Sequence, residues 1–288
     1  MIGNNFLGLP SWLGKLQTEY DDFYRLSPAI ANSLKEELKK YHASQPEVTI
    51  AIPAYNEEKN ITRTLASFAR MNPKYKTELI VINNNSQDRT KEILNELGVS
   101  TIDEPRQSIS YARQAGLENA KGKYFLNADS DSIYPDGWID TYVEALKDSS
   151  VACVYGTYSF IPGNNSSRFE LAMYEAMTRA LFLLRRKKMD FFNVLGFNFA
   201  FRREDGLKAG GFNVTRQLWS DGWMAMTLAQ FGKIERISNK NVRVWTSDRR
   251  LVYDGGLFNA VLKRLTKEAD RYVNLPQPEQ ELEKLKIN

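Results

Sequence analysis

Between Val48 and Ala128, short apolar runs alternate with amphipathic segments. This alternation limits the fold more than any other feature of the chain. "VTIAIP", "ELIVIN", the weaker "VSTIDE" and "KYFLNA" read as strands. Three helical segments separate them. "EEKNITRTLASFARM" carries Ile61, Leu65 and Phe68 on one face, "SQDRTKEILNELG" is closed by Gly98, and "SISYARQAGLENAKG" is closed by Gly122. Such a succession predicts an α/β fold with a mixed, mostly parallel sheet flanked by helices. Sheets of this kind bind ligands beyond the C-terminal ends of their strands. Polar residues gather at those ends: "PAYNEE" after the first strand, "NNNSQD" after the second and "DSD" after the fourth.

The flanks are less regular. Residues 1–46 read as a helical extension, with Ser27 as a cap, Pro28 at the first helical position and Pro46 as the stop. In the second half, "VACVYGTYSF" suggests one long strand, "SRFELAMYEAMTRALFLL" a helix and "NVLGFNFAFRR" an aromatic-rich strand. "SDGWMAMTLAQFG" reads as a short helix, "KIERIS" and "VRVWTS" as strands, and a last helix runs roughly from Gly256 to Tyr272. The expected organisation is one main domain over 47–255, with a ligand-binding half at 47–135 and a second half at 136–255. A C-terminal helix and charged tail occupy 256–288.

Composition narrows the chemistry. A net charge of +4 over 288 residues gives no ground for expecting nucleic acid as a partner. The single Cys153 lies in an apolar run and excludes an internal disulfide, and the single His42 leaves acid–base work to carboxylates. "MIGNNFLGLPSWLGK" lacks the basic start and clean apolar core of a signal peptide, and no run of about 18 apolar residues marks a membrane span. A cytoplasmic location is expected.

Asp129 and Asp131 stand one residue apart at the end of a strand. Carboxylates so placed reach one hard cation, which also takes oxygens from phosphate or water; a solvated turn before the next helix would use the same residues. The preceding loops favour the cation. Pro53-Ala54-Tyr55-Asn56-Glu57, then Asn83-Asn84 with Ser86 and Asp88, then Ala112-Arg113-Gln114-Ala115-Gly116, then "NADSD" come in this order. Together they resemble the family-2 glycosyltransferases of the A fold, from about Val48 to Arg250. The resemblance implies sugar transfer from a nucleotide diphosphate sugar, UDP- or GDP-linked, in a Rossmann-like nucleotide-binding half.

By the same resemblance, Pro53, Ala54, Tyr55, Glu57 and Asn84 hold the nucleotide and Arg113 supports the donor. Asp129 lies near the ribose or diphosphate, and Asp131 with Asp129 contacts a divalent cation, Mn2+ or Mg2+. Tyr55 as packing, Glu57 as a helix N-terminal acid and Arg113 as an ion-pair partner are the structural alternatives. The pattern departs from the family at Asn83-Asn84, where two acids are common, and at Gln114, where Asn is usual. It also lacks any histidine after His42 to join the metal; Asp248 is a substitute.

In the second half, "GFNFAFRREDGLKAGGFN" followed by "SDGWMAM" resembles the family's acceptor side. It implies Asp221 as the general base, with Glu204 and Asp205 as rivals and a plain helix cap as the alternative. Arg249 and Arg250 follow a predicted strand and suit a diphosphate clamp or a solvated turn. The apolar helix before Arg185-Arg186-Lys187-Lys188 reads as a core helix with a basic end, or as a peripheral membrane contact. Trp219 and Trp223 read either as sugar-stacking groups or as buried ones.

The resulting expectation is an inverting, metal-dependent glycosyltransferase with a glycan or lipid-linked acceptor. A nucleotidyltransferase making a nucleotide sugar is the enzyme alternative, disfavoured by the absence of glycine in "IPAYNEE". A non-catalytic nucleotide-sugar-binding protein is the other.

Overall fold

A computed structural model of the chain describes residues 9–163, 166–185, 189–215, 219–253 and 255–273. In chain order the elements are α1 (Ser11–Glu19), α2 (Pro28–Leu38), β1 (Val48–Ala54), α3 (Ile61–Ala69), β2 (Thr77–Asn83), α4 (Thr90–Glu96), β3 (Ser100–Asp103), α5 (Ile109–Asn119) and β4 (Tyr124–Asn127). There follow β5 (Ser132–Ile133), α6 (Trp138–Leu146), β6 (Val151–Tyr155), β7 (Tyr158–Ile161), α7 (Arg168–Arg185), β8 (Phe199–Arg202), α8 (Arg203–Lys208) and α9 (Ser220–Leu228). The chain continues through β9 (Lys233–Arg236), β10 (Val244–Ser247), α10 (Arg249–Tyr253) and α11 (Leu257–Val273).

Seven strands form one sheet in the order β3-β2-β1-β4-β8-β6-β9. β1 lies parallel to β2 and to β4, pairing Val48 with both Thr77 and Tyr124. β2 lies parallel to β3, β8 is antiparallel to both β4 and β6, and β9 is parallel to β6. The expected mixed, mostly parallel sheet is therefore present. Every residue of β1, β2 and β4 is buried, as parallel strands covered on both faces require. From β1 the chain moves outward to β2 and β3, then returns to β4 on the other side of β1. This reversal puts a switch point between the C-terminal ends of β1 and β4, where open α/β sheets form a ligand crevice.

Two units separate by packing. The larger comprises Leu9–Tyr158 and Arg185–Thr246; the described residues of the smaller fall within 159–184 and 247–273. This differs from the division by chain order expected above, because residues 9–46 pack within the larger unit. Leu13, Leu16, Leu34 and Leu38 are buried, the Tyr41 hydroxyl donates to the Phe68 carbonyl at 2.8 Å, and the Arg70 guanidinium covers Trp12. Ser27 caps α2 by accepting the Ile30 N–H at 3.3 Å, with Pro28 in the first turn. In the smaller unit, buried Glu175 accepts Arg168 through two bonds of 2.8 and 2.9 Å and also accepts the Phe160 N–H.

The structure departs from the sequence reading at four places. "VACVYGTYSF" is two strands, because Gly156 is pressed between the Tyr142 hydroxyl and the Val242 carbonyl. "NVLGFNFAFRR" forms a strand only at Phe199–Arg202; before it, 190–193 make a 3-10 turn. Asn198 holds this change of course. Its amide N–H groups reach the carbonyls of Thr157 and Val242, and its oxygen accepts Trp138 and Tyr142. β5 was not expected at all; it pairs antiparallel with β10 through Ile133 and Trp245. Finally, Gly98 does close α4 with φ of 67°, but Gly122 closes nothing.

Gly122 instead allows a close approach. A Cβ there would stand 2.5 Å from the Val48 carbonyl carbon and the Thr49 nitrogen, and its N–H donates to Thr49 Oγ1. Gly122→Ala should push the α5–β4 link off β1 and cost about 2–4 kcal/mol. The check is a shift of the urea unfolding midpoint at unchanged slope.

Candidate active site

The switch point is built by three loops. The first two, after β1 and β2, are tied together. Asn56 takes a left-handed φ of 53°, which sends its N–H to Ser86 Oγ at 3.1 Å and its side-chain oxygen to the Gln87 N–H at 2.8 Å. Glu57 is buried: its N–H meets Thr90 Oγ1 at 2.8 Å, and its carboxylate accepts Asn60 Nδ2 at 2.7 Å. Pro53 and Ala54 are buried in β1, and the Ala54 carbonyl accepts the Asn84 N–H. Tyr55, between these anchors, is left 44% exposed.

Asn84 is placed differently from a ligand-facing amide. Its Nδ2 donates to the carbonyls of Glu104 and Arg106 at 2.9 and 2.8 Å, and its oxygen accepts the Ser108 N–H at 2.9 Å. It is buried and holds the loop that leads from β3 into α5. In this arrangement Asn84 shapes the site through that loop.

The third loop follows β4 and carries Asp129 and Asp131. Asp129 faces Arg113 of α5, with 3.4 Å between Nη2 and Oδ1. Burial pushes the Asp129 carboxyl up to about 6; Arg113 opposes this, while the nearby charges of Asp131 and Asp221 add to it. The Arg113 guanidinium is buried. It donates to Ser220 Oγ at 3.2 Å and lies directly against Gly196, where an added Cβ would stand 1.7 Å from Nη2.

Asp221, in the first turn of α9, completes the cluster. Its Oδ2 accepts the Gly196 N–H at 2.7 Å and its Oδ1 accepts the Gly222 N–H at 2.9 Å. The carboxylate is thus fixed by two backbone donors beside the Arg113–Asp129 pair. The rival acids are committed elsewhere: Glu204 pairs with Lys208 and Asp205 with Arg202, both at 2.7 Å within α8 and its entry.

Three buried hydroxyls hold the acid-bearing turn, and the sequence reading missed them. Thr64 Oγ1 lies 2.8 Å from the carbonyl oxygens of both Ser130 and Ser132, on either side of Asp131. Ser67 accepts the Tyr134 N–H and donates to the Thr64 carbonyl. The Tyr134 hydroxyl accepts the Asp129 N–H at 2.8 Å and donates to the Phe197 carbonyl at 3.0 Å. Thr64 and Ser67 sit on the inner face of α3, beside Leu65 and Phe68. Polar residues on an otherwise apolar helix face were the available signal. Arg63 of α3 bonds locally, its Nη2 donating to the Lys59 carbonyl and to Asn60 Oδ1; burial lowers its pKa against the attraction of Asp21, Asp131 and Glu57.

Asp248 belongs to the smaller unit, where it is buried and accepts the Gly163 N–H at 3.0 Å. Arg249 and Arg250 begin α10 in the same unit, with Arg249 exposed; the Arg250 side chain lies outside the described residues, as do Arg186, Lys187 and Lys188. Trp223 is a core residue, 4% exposed. Trp219 is partly buried and stacks on Phe192 with ring centroids 4.7 Å apart. Cys153 is fully buried in the core, which pushes its thiol up.

The sequence profile described as "Glycosyl transferase family 2" matches residues 49–206. The chain belongs to this family. The matched stretch includes the three loops from Pro53 to Asp131 and stops before Asp221. Glycosyltransferase AglE of Haloferax volcanii is 31% identical over 140 residues, which is 46% of this chain and 45% of AglE. The chain spans less than half the length of the curated relatives it resembles. Among solved structures, S. aureus TarS (residues 1–349) in complex with UDP superposes with a TM-score of 0.54 at 16% identity, over 70% of this chain and 60% of TarS. The mannosyltransferase PcManGT of Pyrobaculum calidifontis, in complex with GDP-Man and Mn2+, gives 0.52 at 20% identity, over 81% of this chain and 66% of its own. At these identities the likeness shows a shared fold.

Two substitutions test the geometry. Thr64→Val keeps the shape but leaves two buried carbonyls without their hydroxyl, and should cost about 1–3 kcal/mol in urea unfolding. Gly196→Ala should drive the Arg113 guanidinium from its seat. A nitrogen-15 spectrum of arginine side chains should then show its Nε signal displaced or exchange-broadened.

Proposed function

We propose that the chain is an inverting, metal-dependent glycosyltransferase that moves a sugar from a nucleotide diphosphate sugar to an acceptor hydroxyl. One observation carries this reading: Asp221, held by the Gly196 and Gly222 N–H groups, stands beside the Arg113–Asp129 pair at the switch point. A base and a donor-binding carboxylate are thereby set on one rigid frame. Residues 47–135 form the nucleotide-sugar half and 136–255 the acceptor half in this proposal. Tyr55, the exposed ring between the tied loops, covers the nucleotide, with Pro53, Ala54 and Glu57 as its support and Asn84 acting through the β3–α5 loop. A UDP- or GDP-linked donor is supported by the nucleotides bound in TarS and PcManGT. Arg249 and Arg250 are retained as candidate diphosphate contacts.

Asp129 and Asp131 suit a divalent cation, Mn2+ or Mg2+. Their oxygens are hard ligands, and a positive charge offsets the burial and, after it, the neighbouring charges that raise Asp129. Among the described residues no group of three or more His, Cys, Asp or Glu side chains is gathered for a metal. The remaining ligands would then come from the donor diphosphate and water. When bound, the cation stabilises the departing diphosphate.

In the reaction the acceptor oxygen forms a bond to the anomeric carbon while the bond from that carbon to the diphosphate oxygen breaks. The acceptor proton passes to a free lone pair of Asp221, and the nucleoside diphosphate leaves with the electron pair. A carboxylate serves here because the hydroxyl becomes acidic as its new bond forms. Attack opposite the leaving group inverts the centre. The proposal places this work in the cytoplasm, at or near the inner face of the membrane, with a glycan or lipid-linked acceptor. No helix among the described residues is long and apolar enough to cross a membrane.

Release of nucleoside diphosphate from a panel of nucleotide sugars and acceptors, with and without Mn2+ or Mg2+, tests the reading. Asp221→Asn should lower turnover by about 10³-fold or more while keeping nucleotide binding, and Asp131→Ala should abolish the cation dependence. Full turnover in both variants, or pyrophosphate as the product, would overturn the assignment.

A pH dependence also follows. The raised Asp129 pKa means that the folded chain binds more protons than the unfolded one between about 4 and 6. The ligand-free fold therefore loses this contribution as pH rises through 6. A cation competes with that proton. Stabilisation by cation plus nucleoside diphosphate should be full at pH 7.5 and shrink as pH falls through about 6. Thermal melts across that range are the check.

A further inference from the structure

Trp219 is seated against three local preferences. It precedes α9 with a left-handed φ of 68°. The other non-glycine residues with positive φ among those described are Asn56 and Asn85, and asparagine tolerates that region where a bulky side chain does not. At a helix start, Ser, Thr, Asp or Asn would accept a free N–H, whereas Trp219 offers no such cap. Its indole Nε1–H is buried and has no hydrogen-bond partner among the described residues, although a buried tryptophan usually finds one. Glycine would meet the backbone demand at this position better. A residue held in this way persists where the surrounding structure over-determines it, and such residues gather at functional sites. Here the ring makes the contacts that hold it. It stacks on Phe192 with centroids 4.7 Å apart and 29° between the planes, and it leans on Phe191 at 6.0 Å. Its pyrrole edge lies against Gly222, where an added Cβ would stand 1.8 Å from Nε1. Shape, not a polar partner, fixes the indole.

The ring clamps two segments that must meet. Phe191 and Phe192 lie in the 190–193 turn, which is anchored by Asp190; its carboxylate accepts Asn193 Nδ2 at 2.9 Å and the Tyr155 hydroxyl of β6. A few residues after this turn comes Gly196, whose N–H holds Asp221 Oδ2. Directly after Trp219 come Ser220, which accepts Arg113 Nη1, and Asp221 itself. The Trp219–Phe192 stack and the Gly196–Asp221 bond therefore join the same two segments. We propose that Trp219 is a positioning residue. Its ring, held on Phe192 and against Gly222, sets the first turn of α9 so that Ser220 reaches Arg113 and Asp221 reaches Gly196. Trp219 touches no reacting atom and acts through Asp221. The effect on turnover rests on the sugar-transfer reading, with Asp221 as the base; the placing of Ser220 and Asp221 does not.

Steady-state sugar transfer by the full chain, with kcat and both KM values measured, tests the role. Trp219→Gly suits the backbone but removes the ring; kcat should fall by about 10²-fold, with both KM values within about threefold of wild type. Trp219→Phe keeps a ring on Phe192 and should restore kcat to within about fivefold of wild type. Gly222→Ala puts a methyl where the indole lies and should lose kcat as Trp219→Gly does. In the Trp219→Gly background the same change should cost less than about threefold more, because no ring is left to displace. Undiminished kcat in Trp219→Gly, a Trp219→Phe chain just as slow, or additive losses in the double variant overturns the proposal. So does a raised acceptor KM in place of a lowered kcat, which would make the ring a sugar contact. A Trp219→Gly chain that no longer melts cooperatively overturns it too, since the ring would then serve the fold alone. The nitrogen-15 spectrum of arginine side chains reads the placing without any activity. The Arg113 Nε signal should move in Trp219→Gly and return in Trp219→Phe, and an unmoved signal sinks the idea. A wild-type chain that transfers no sugar, with that signal moving as expected, defeats the enzymatic reading alone.

Discussion

The site depends on one half-buried ion pair, the buried Arg113 with the partly exposed Asp129. Where the sheet ends, the charges of Asp131 and Asp221 both act on Asp129, and the buried Arg113 guanidinium faces it. Burying charge is costly unless the remaining polar atoms are matched. Much of the surrounding architecture does this matching. Ser220 accepts one guanidinium nitrogen, and Gly196 has no side chain so that the other can be seated. The same Gly196 N–H then fixes Asp221. α5, the loop after β4, the loop before β8 and the first turn of α9 are locked together by these few contacts.

The topology explains why the charges meet there. β4 returns beside β1 after the chain has gone out to β3, so the loops after β1 and β4 open side by side. β8 then enters antiparallel next to β4, which brings residues 194–198 back over the same edge. The hydroxyls of Thr64 and Ser67 fix the acid-bearing turn from the α3 side, and the Tyr134 hydroxyl fixes it from just beyond β5. The backbone of the turn is thereby held on both sides of Asp131. A cation under the proposed function would act on a frame already set.

The first half of the fold was legible because its signals are local. The apolar runs of β1, β2 and β4, the amphipathic face of α3 and the Gly98 closure each follow from residues within one element. The second half misled where contacts between distant residues decide the backbone. Gly156 and Asn198 end and redirect strands because of Tyr142, Trp138 and Val242. β5 is too short for any periodicity and exists only by pairing with β10. In the site, the acids and Arg113 were visible as residue types in order. Asn84 was visible too, but its commitment to the 104–108 loop was not.

By itself the sequence determined the α/β class, the succession of strands and helices along the chain up to β4, and the set of charged groups offered at the strand ends. Periodicity and chain order carry that information. Only the tertiary structure decided which acid faces Arg113, that Asp221 is held by Gly196 while Glu204 and Asp205 are paired within α8, and that Asp248 lies in the smaller unit. Those choices turn on distances of about 3 Å between residues as much as a hundred positions apart, and on burial that raises the Asp129 carboxyl from its ordinary value. Neither is a property of any local stretch of chain.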